Sequence, residues 1–227
     1  MDNMDFSDIL ASSIHDIKNS LGLILSSLDD LIVNPDNHLA DPRQASLLQH
    51  EVQRANSNLI QLLTLYKLGH EQLTVRVTDN NLDDFLEEVV ANSQSVCKAL
   101  DLELSHHCDP SLDGYFDAEL IRGVLDSTIG NARRYARRRI ELNASREDGF
   151  LVIRVEDDGS GFPAALTGLL DPPPGEPRDE LNSGRTQLGL YFATRIAQLH
   201  RNGDKTGRIR LRNGHHLEGG CFELWLP

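Results

Sequence analysis

Apolar positions near the start of the chain fall at Leu10, Ile14, Ile17, Leu21, Ile24, Leu28 and Leu31, in alternating steps of four and three. This is the a/d spacing of a helix with one continuous apolar seam, and it predicts a helix over 6–33. Asn34-Pro35-Asp36-Asn37 breaks it, and Asp41-Pro42 reads as the start of a second helix. That helix carries Leu48, Val52, Ala55, Leu59, Leu62 and Tyr66 in the same rhythm. Two long helices joined by a short loop make an antiparallel hairpin. One hairpin with so long a seam cannot cover itself, so a second copy and a dimeric four-helix bundle are expected.

The pattern changes after residue 68. Residues 69–81 are polar, with one short alternation, Leu73-Val75-Val77, and read as a linker with an edge strand. A helix over 82–100 follows, with Phe85, Val89, Val90 and Val96 on its face, then a short strand near 102–104. Asp117 is placed to cap a helix running to about 137, with Glu119 in its first turn. Two alternating segments, 139–142 and 150–155, flank Asp148-Gly149, a hairpin turn signal. The stretch 168–184 is too rich in proline and glycine for regular structure. A helix over 188–200 and strands at 208–211 and 221–226 complete the chain. This second unit is α+β, helices on one face of a mixed sheet. The organisation expected is therefore a hairpin over 1–68, a linker over 69–81 and a second domain over 82–227.

Composition narrows the classes. With 39% hydrophobic and 25% charged residues the chain can bury a core. Its net charge of −13 argues against a nucleic-acid partner. No apolar run is long enough to span a bilayer, and the acidic start lacks the basic region of a signal peptide. Cys97, Cys108 and Cys221 show no metal-ligand spacing, and their odd number points to a reducing, cytoplasmic setting.

Two constellations carry chemistry. On the first helix, His15 and Asn19 fall off the seam, four residues apart on one wet face, with Asp16 beside them and Lys18 completing the cluster. Neutral imidazole is a good nucleophile, a carboxylate can fix its tautomer, and an amide one turn on can orient water against a phosphoryl group. In the second unit, Ser127, Asn131 and Arg134 project from one side of a helix: Asn131 offers an oxygen to a metal ion and Arg134 a cation to phosphates. Asp157-x-Gly159-x-Gly161 follows directly on a strand, so its carboxylate can accept from an exocyclic amine while the glycines admit a ring. The run from Gly184 to Leu190 opens a helix whose N–H groups can hold phosphate oxygens.

With these motifs in this order, the chain resembles a bacterial two-component sensor histidine kinase, reduced to its phosphotransfer hairpin and ATP-binding domain. His15-Asp16-x-x-Asn19 is similar to the family's H box, Asn131-Ala132-x-Arg134-Tyr135 to its N box and Asp157-x-Gly159-x-Gly161 to its G1 box. Leu188-Gly189-Leu190, with His200, is similar to the G2 box and its helix, and 220–227 to the usual last strand. The resemblance implies a helical hairpin followed by an α/β sandwich of the GHKL (Bergerat) type. It implies autophosphorylation of His15 from ATP and Mg²⁺, and transfer to an aspartate on a response regulator receiver domain. Asp16 would be the base and Asn19 would place water for dephosphorylation. Asn131 would bind Mg²⁺ and Arg134 the phosphates. Asp157 would take the adenine amine, with Tyr135, Gly159, Gly161, Thr186, Leu188 and Gly189 around the nucleotide and 168–185 as its lid.

The sequence departs from the family pattern at four places. Ser127 stands where the family has asparagine, Gln187 where it has glycine, Ser20 where it has proline, and no phenylalanine lies between Pro163 and Gly184. Two other readings stay open: a phosphotransfer adaptor relaying through His15 without ATP, and a phosphatase using Asn19. No sensor module precedes residue 6, so input is expected from a separate sensor protein unless the sequence is part of a longer one.

Overall fold

A computed structural model describes residues 6–33, 42–167 and 187–227. It divides into two compact units, the boundary falling between Leu73 and Thr74.

The first unit is helix α1 (Phe6–Val33) packed on helix α2 (Pro42–Gly69). The break at 34–37 lies outside the described residues. Along the α1 seam, Ile14, Leu21 and Leu28 are half-buried, while the alternate members Ile17, Ile24 and Leu31 remain 50%, 45% and 47% exposed. Packing of α1 on α2 thus covers one row of the seam and leaves the other in water.

The second unit opens where a linker was expected. Residues 73–77 form no strand; strand β1 is instead Thr78–Asn81, pairing antiparallel with β3 (Asp113–Phe116). Its polar TDNN sequence is held by backbone pairing and by its asparagines. Asn80 donates to the Phe116 carbonyl at 3.0 Å, and Asn81 accepts from the Asp84 N–H at 3.1 Å, capping α3 (Leu82–Ala99). Helix α4 (Ala118–Tyr135) starts at Asp117, whose carboxylate accepts from the Leu120 N–H.

A five-stranded sheet carries the core. With β2 (Glu103–His107), β4 (Arg139–Glu147), β5 (Phe150–Asp157), β8 (Arg208–Asn213) and β9 (Gly220–Leu226), the order is β2-β4-β5-β9-β8. Only β2–β4 is parallel, so the sheet is mixed. The β4–β5 turn puts Asp148 and Gly149 at φ 50° and 73°, as a tight hairpin turn requires. Short pieces that carry little local pattern complete the unit: α5 (Ala164–Thr167) and the ribbon β6 (Arg201–Asn202) with β7 (Lys205–Thr206), beyond α6 (Gln187–Leu199).

Period-two alternation gives the sheet two different faces. Ile140, Leu142, Ile153, Val155, Phe222 and Leu224 face one way and are buried with Leu86 and Val89 of α3, Val124 and Ile129 of α4 and Ile196 of α6. The opposite face mixes polar and apolar side chains and is closed as well. Arg154 donates to Glu223 at 3.0 Å, to Glu147 at 2.8 Å and to Ser145 at 3.0 Å, and Trp225 donates to Glu223 at 3.1 Å. Arg208 lies over the rings of Phe150 and Trp225 at 4.7 and 4.9 Å. These contacts, together with the apolar cluster of Phe150, Val152 and Trp225 on the same face, bury β5 along its whole length.

Candidate active site

A cleft of about 930 Å³, open solvent included, lies between α4, the end of β5 and the start of α6. Helical spacing brings Ser127, Asn131 and Tyr135 of α4 into its wall, and Asp157 stands at its inner end. Phe162 and Phe222 line it as well. An apolar wall with a few convergent polar groups is the usual make-up of a small-molecule site.

Asp157 is buried, and one of its oxygens is already committed. Oδ1 accepts from the N–H of Gly159 at 2.8 Å and of Gly220 at 3.4 Å. Burial, with the nearby Asp158 charge, lifts its carboxyl above the usual range against the pull of those N–H groups. Among the described residues no donor reaches Oδ2. The carboxylate is thus a held acceptor of raised basicity, suited to the amine of a purine ring.

The neighbouring carboxylate does something else. Asp158 Oδ1 accepts three successive backbone N–H groups, from Arg137, Arg138 and Arg139, at 2.8, 3.0 and 3.1 Å. Although burial opposes it, this holds Asp158 below the ordinary carboxylate range and ties the end of α4 to the loop after β5. A Cβ on Gly159 would run into the Tyr135 carbonyl, and one on Gly220 would come within 2.9 Å of Asp157 Oδ2. Gly161 sits at φ +78°, where a Cβ would meet Asn213 Oδ1 at 2.7 Å. Asn213 in turn brackets Phe162, accepting from its N–H at 2.7 Å and donating to its carbonyl at 2.8 Å. Asp158, Asn213 and Gly220 are not among the site residues expected from sequence, Gly220 being read only as the start of the last strand; the Gly219-Gly220 pair was the available signal.

The motif residues do not all converge. Asn131, Tyr135, Asp157, Gly161 and Gly189 line the cleft, and Gly159 shapes it from behind. Ser127 lies where a Cβ on Gly189 would meet its Oγ at 2.9 Å, so its short side chain goes with a close approach of α6 to α4. Arg134 does not line the cleft; it is exposed, with its guanidinium 5.8 Å from the Tyr135 ring centre. Leu188 is half-buried in the first turn of α6, outside the lining. Thr186 and the proposed lid over 168–185 lie outside the described residues, as does the side chain of Gln187. His200 is structural: its Nε2 accepts from the Asp117 N–H at 3.0 Å, and its other ring nitrogen donates to the Ile196 carbonyl at 2.9 Å. In the first unit, Asp16 and Asn19 are exposed on α1, and the His15 side chain is outside the described residues.

Residues 116–227 match the family described as histidine kinase-, DNA gyrase B-, and HSP90-like ATPase. The sensor-like histidine kinase SenX3 of Mycobacterium tuberculosis is 23% identical over 97% of this chain and 53% of its own length. The alginate biosynthesis sensor protein KinB of Pseudomonas aeruginosa is 28% identical over 83% of this chain and 31% of its own. Among solved structures, the histidine kinase AdeS of Acinetobacter baumannii superposes with a TM-score of 0.58 at 17% identity, covering 93% of this chain and 96% of its own. Full-length ShkA in complex with AMPPNP gives 0.61 at 19%, covering 96% of this chain and 44% of its own. Residues 116–227 thus belong to the histidine kinase-, DNA gyrase B-, and HSP90-like ATPase family, and with relatives named as sensor histidine kinases the comparisons support a two-component sensor histidine kinase. The second unit is a GHKL-type α/β ATPase domain. The chain spans about a third to a half of the length of the curated relatives it matches. No described helix is long and apolar enough to cross a membrane.

The residues present fit ATP. Asp157 and the glycines suit the base. Asn131 and Ser127, on the same wall, offer oxygens of the kind Mg²⁺ accepts, and Mg²⁺ needs few protein ligands when phosphates supply the rest.

Proposed function

We propose that this chain is an ATP-dependent protein-histidine kinase that phosphorylates its own His15 and passes the phosphoryl group to an aspartate of a response regulator. The observation that carries this reading is Asp157, buried at the end of the cleft with one oxygen held by Gly159 and Gly220, and with Asn131 in the same wall. A relay that never used ATP would have no need of such a site, so the adaptor reading is not favoured.

In this reading residues 1–68 are the phosphotransfer hairpin, 82–227 the catalytic domain and 69–81 the connection. Asp16 takes the proton from the imidazole, Asn19 orients water against the regulator's phospho-aspartate, and Arg134 reaches the phosphates once nucleotide and lid are in place. The exposed row Ile17, Ile24 and Leu31 supports a homodimer in which a second hairpin covers it. A cytoplasmic setting belongs to the same proposal.

The test is labelling with γ-radiolabelled ATP and Mg²⁺. Wild type should become acid-labile and base-stable in its label, as phosphohistidine is, and His15→Ala should not label. Wild-type protein that binds ATP and never labels would overturn the kinase reading.

A further inference from the structure

The Arg154 face of the sheet carries a cluster that the nucleotide site does not use. Glu156 on β5 and Cys221 on β9 stand opposite each other in register, and His215, on the loop joining β8 to β9, folds over both. One ligand-type atom from each of the three lies within 4.8 Å of the others. Glu156 and Cys221 are fully buried, whereas His215 is exposed and closes the cluster from the solvent side.

We propose that Glu156, His215 and Cys221 form a binding site for a borderline divalent transition metal of the Zn²⁺ type, separate from the Mg²⁺ that would accompany ATP. A carboxylate oxygen, an imidazole nitrogen and a sulfur make the mixed donor set that Zn²⁺ accepts and that Mg²⁺ and Ca²⁺ do not. Three protein ligands leave a fourth position for water.

The geometry requires only small adjustments. Metal–ligand bonds of about 2.0–2.3 Å place tetrahedral ligands roughly 3.3–3.8 Å apart, so the widest separations here close by about an ångström. The ring nitrogen Nδ1 of His215 now lies 2.8 Å from Glu156 Oε1; to ligate through that nitrogen the ring would carry its single proton on Nε2, and the hydrogen bond would give way to the ion. The site already has supporting contacts behind the donors. Asn143 donates to Glu156 Oε1 at 3.1 Å, and the N–H groups of His216 and Leu217 donate to Oε2 at 2.8 and 3.3 Å. Arg212, beside the Cys221 thiol, is ion-paired to Glu223 at 3.0 Å, so its charge does not stand unopposed against the cation. Burial, with the Glu156 charge, pushes the Cys221 thiol up to about 12, so the metal-free site holds a thiol. Metal binding breaks the S–H bond, forms the metal–sulfur bond and releases the proton to solvent.

The position gives the site a reach beyond itself. Asp157 and Gly220 are the immediate chain neighbours of Glu156 and Cys221 and project to the opposite face of the sheet. The ion would therefore join β5, β9 and the 214–219 loop directly behind the nucleotide acceptor.

The experiment titrates the reduced full chain with Co²⁺ alone and follows its thiolate-to-metal charge-transfer absorption, then displaces it with Zn²⁺. Wild type should show a thiolate band saturating at one equivalent. Cys221→Ser should abolish the band, and His215→Ala should weaken binding at least about tenfold. Cys108→Ser and His216→Ala should leave it intact. Absence of the band in wild type, or its persistence at full affinity in His215→Ala, overturns the proposal. Loss of the band in Cys108→Ser rather than in Cys221→Ser does so too. His215 lies on an exposed loop, so its variant remains informative if Cys221→Ser folds poorly. None of these readouts depends on kinase activity, so this site and the kinase reading can fail independently.

Discussion

Asp157→Asn tests the nucleotide site at one atom. Oδ1 of Asp157 accepts the N–H groups of Gly159 and Gly220, so an asparagine that keeps those bonds must leave its oxygen where Oδ1 is. Its NH₂ then takes the place of Oδ2 and presents a donor to the donor amine of adenine. The lost interaction is a hydrogen bond to a charged acceptor, worth about 1.5–3 kcal/mol. At about 1.4 kcal/mol per decade, ATP affinity should fall roughly tenfold to a hundredfold, with the donor–donor contact pushing toward the upper end. The apo protein should not suffer. Burial raises the Asp157 carboxyl above its usual range, so ionisation of this group disfavours the folded state, and that contribution grows as pH rises through the window between the unfolded and folded values. The neutral amide removes it. Isothermal calorimetry with a non-hydrolysable ATP analogue, together with thermal melts, measures both effects. Unchanged affinity in a folded Asp157→Asn variant would refute the assignment of this carboxylate to the base.

Further outcomes follow from other contacts. Gly159→Ala should destabilise the second unit by about 1–3 kcal/mol, because a Cβ there meets the Tyr135 carbonyl; urea unfolding indistinguishable from wild type would contradict this packing. Burial holds His200 below the ordinary histidine value of 6.5, so its folded form stays neutral while the unfolded chain takes up a proton. Stability that is complete above that value should therefore be lost as pH falls through the window down to the folded value, at up to about 1.4 kcal/mol per pH unit, and His200→Gln should flatten that slope in pH-dependent melts. Ile24→Glu, on the exposed row of α1, should convert a dimer to a monomer by light scattering; a wild-type monomer at micromolar concentration would remove the bundle.

Local rules were enough for most of the elements. The four-three rhythm from Leu10 to Leu31 predicted a helix over 6–33, and α1 is Phe6–Val33. Asp117 caps α4 and Asp148-Gly149 turns β4 into β5, because both depend on chemistry within a few residues. Asn131, Asp157 and Gly161, which line the cleft, could be picked out for the same reason, each lying in a short run with its own backbone demand. Tertiary structure alone decided what depends on distant partners. Strand β1 has no alternation in TDNN and exists because β3 pairs with it and Asn80 reaches the Phe116 carbonyl. The motif singles out Asp157, which lines the cleft, but nothing local gives its neighbour Asp158 a part; folding makes Asp158 a clamp on the three N–H groups after α4. Gly220 approaches Asp157 across 63 residues, and His215 reaches Glu156 across 59. Periodicity reports which face of an element is buried, because that is set by the element's own geometry. What an element meets there is set by the packing of the whole sheet, and no pattern along the chain encodes it.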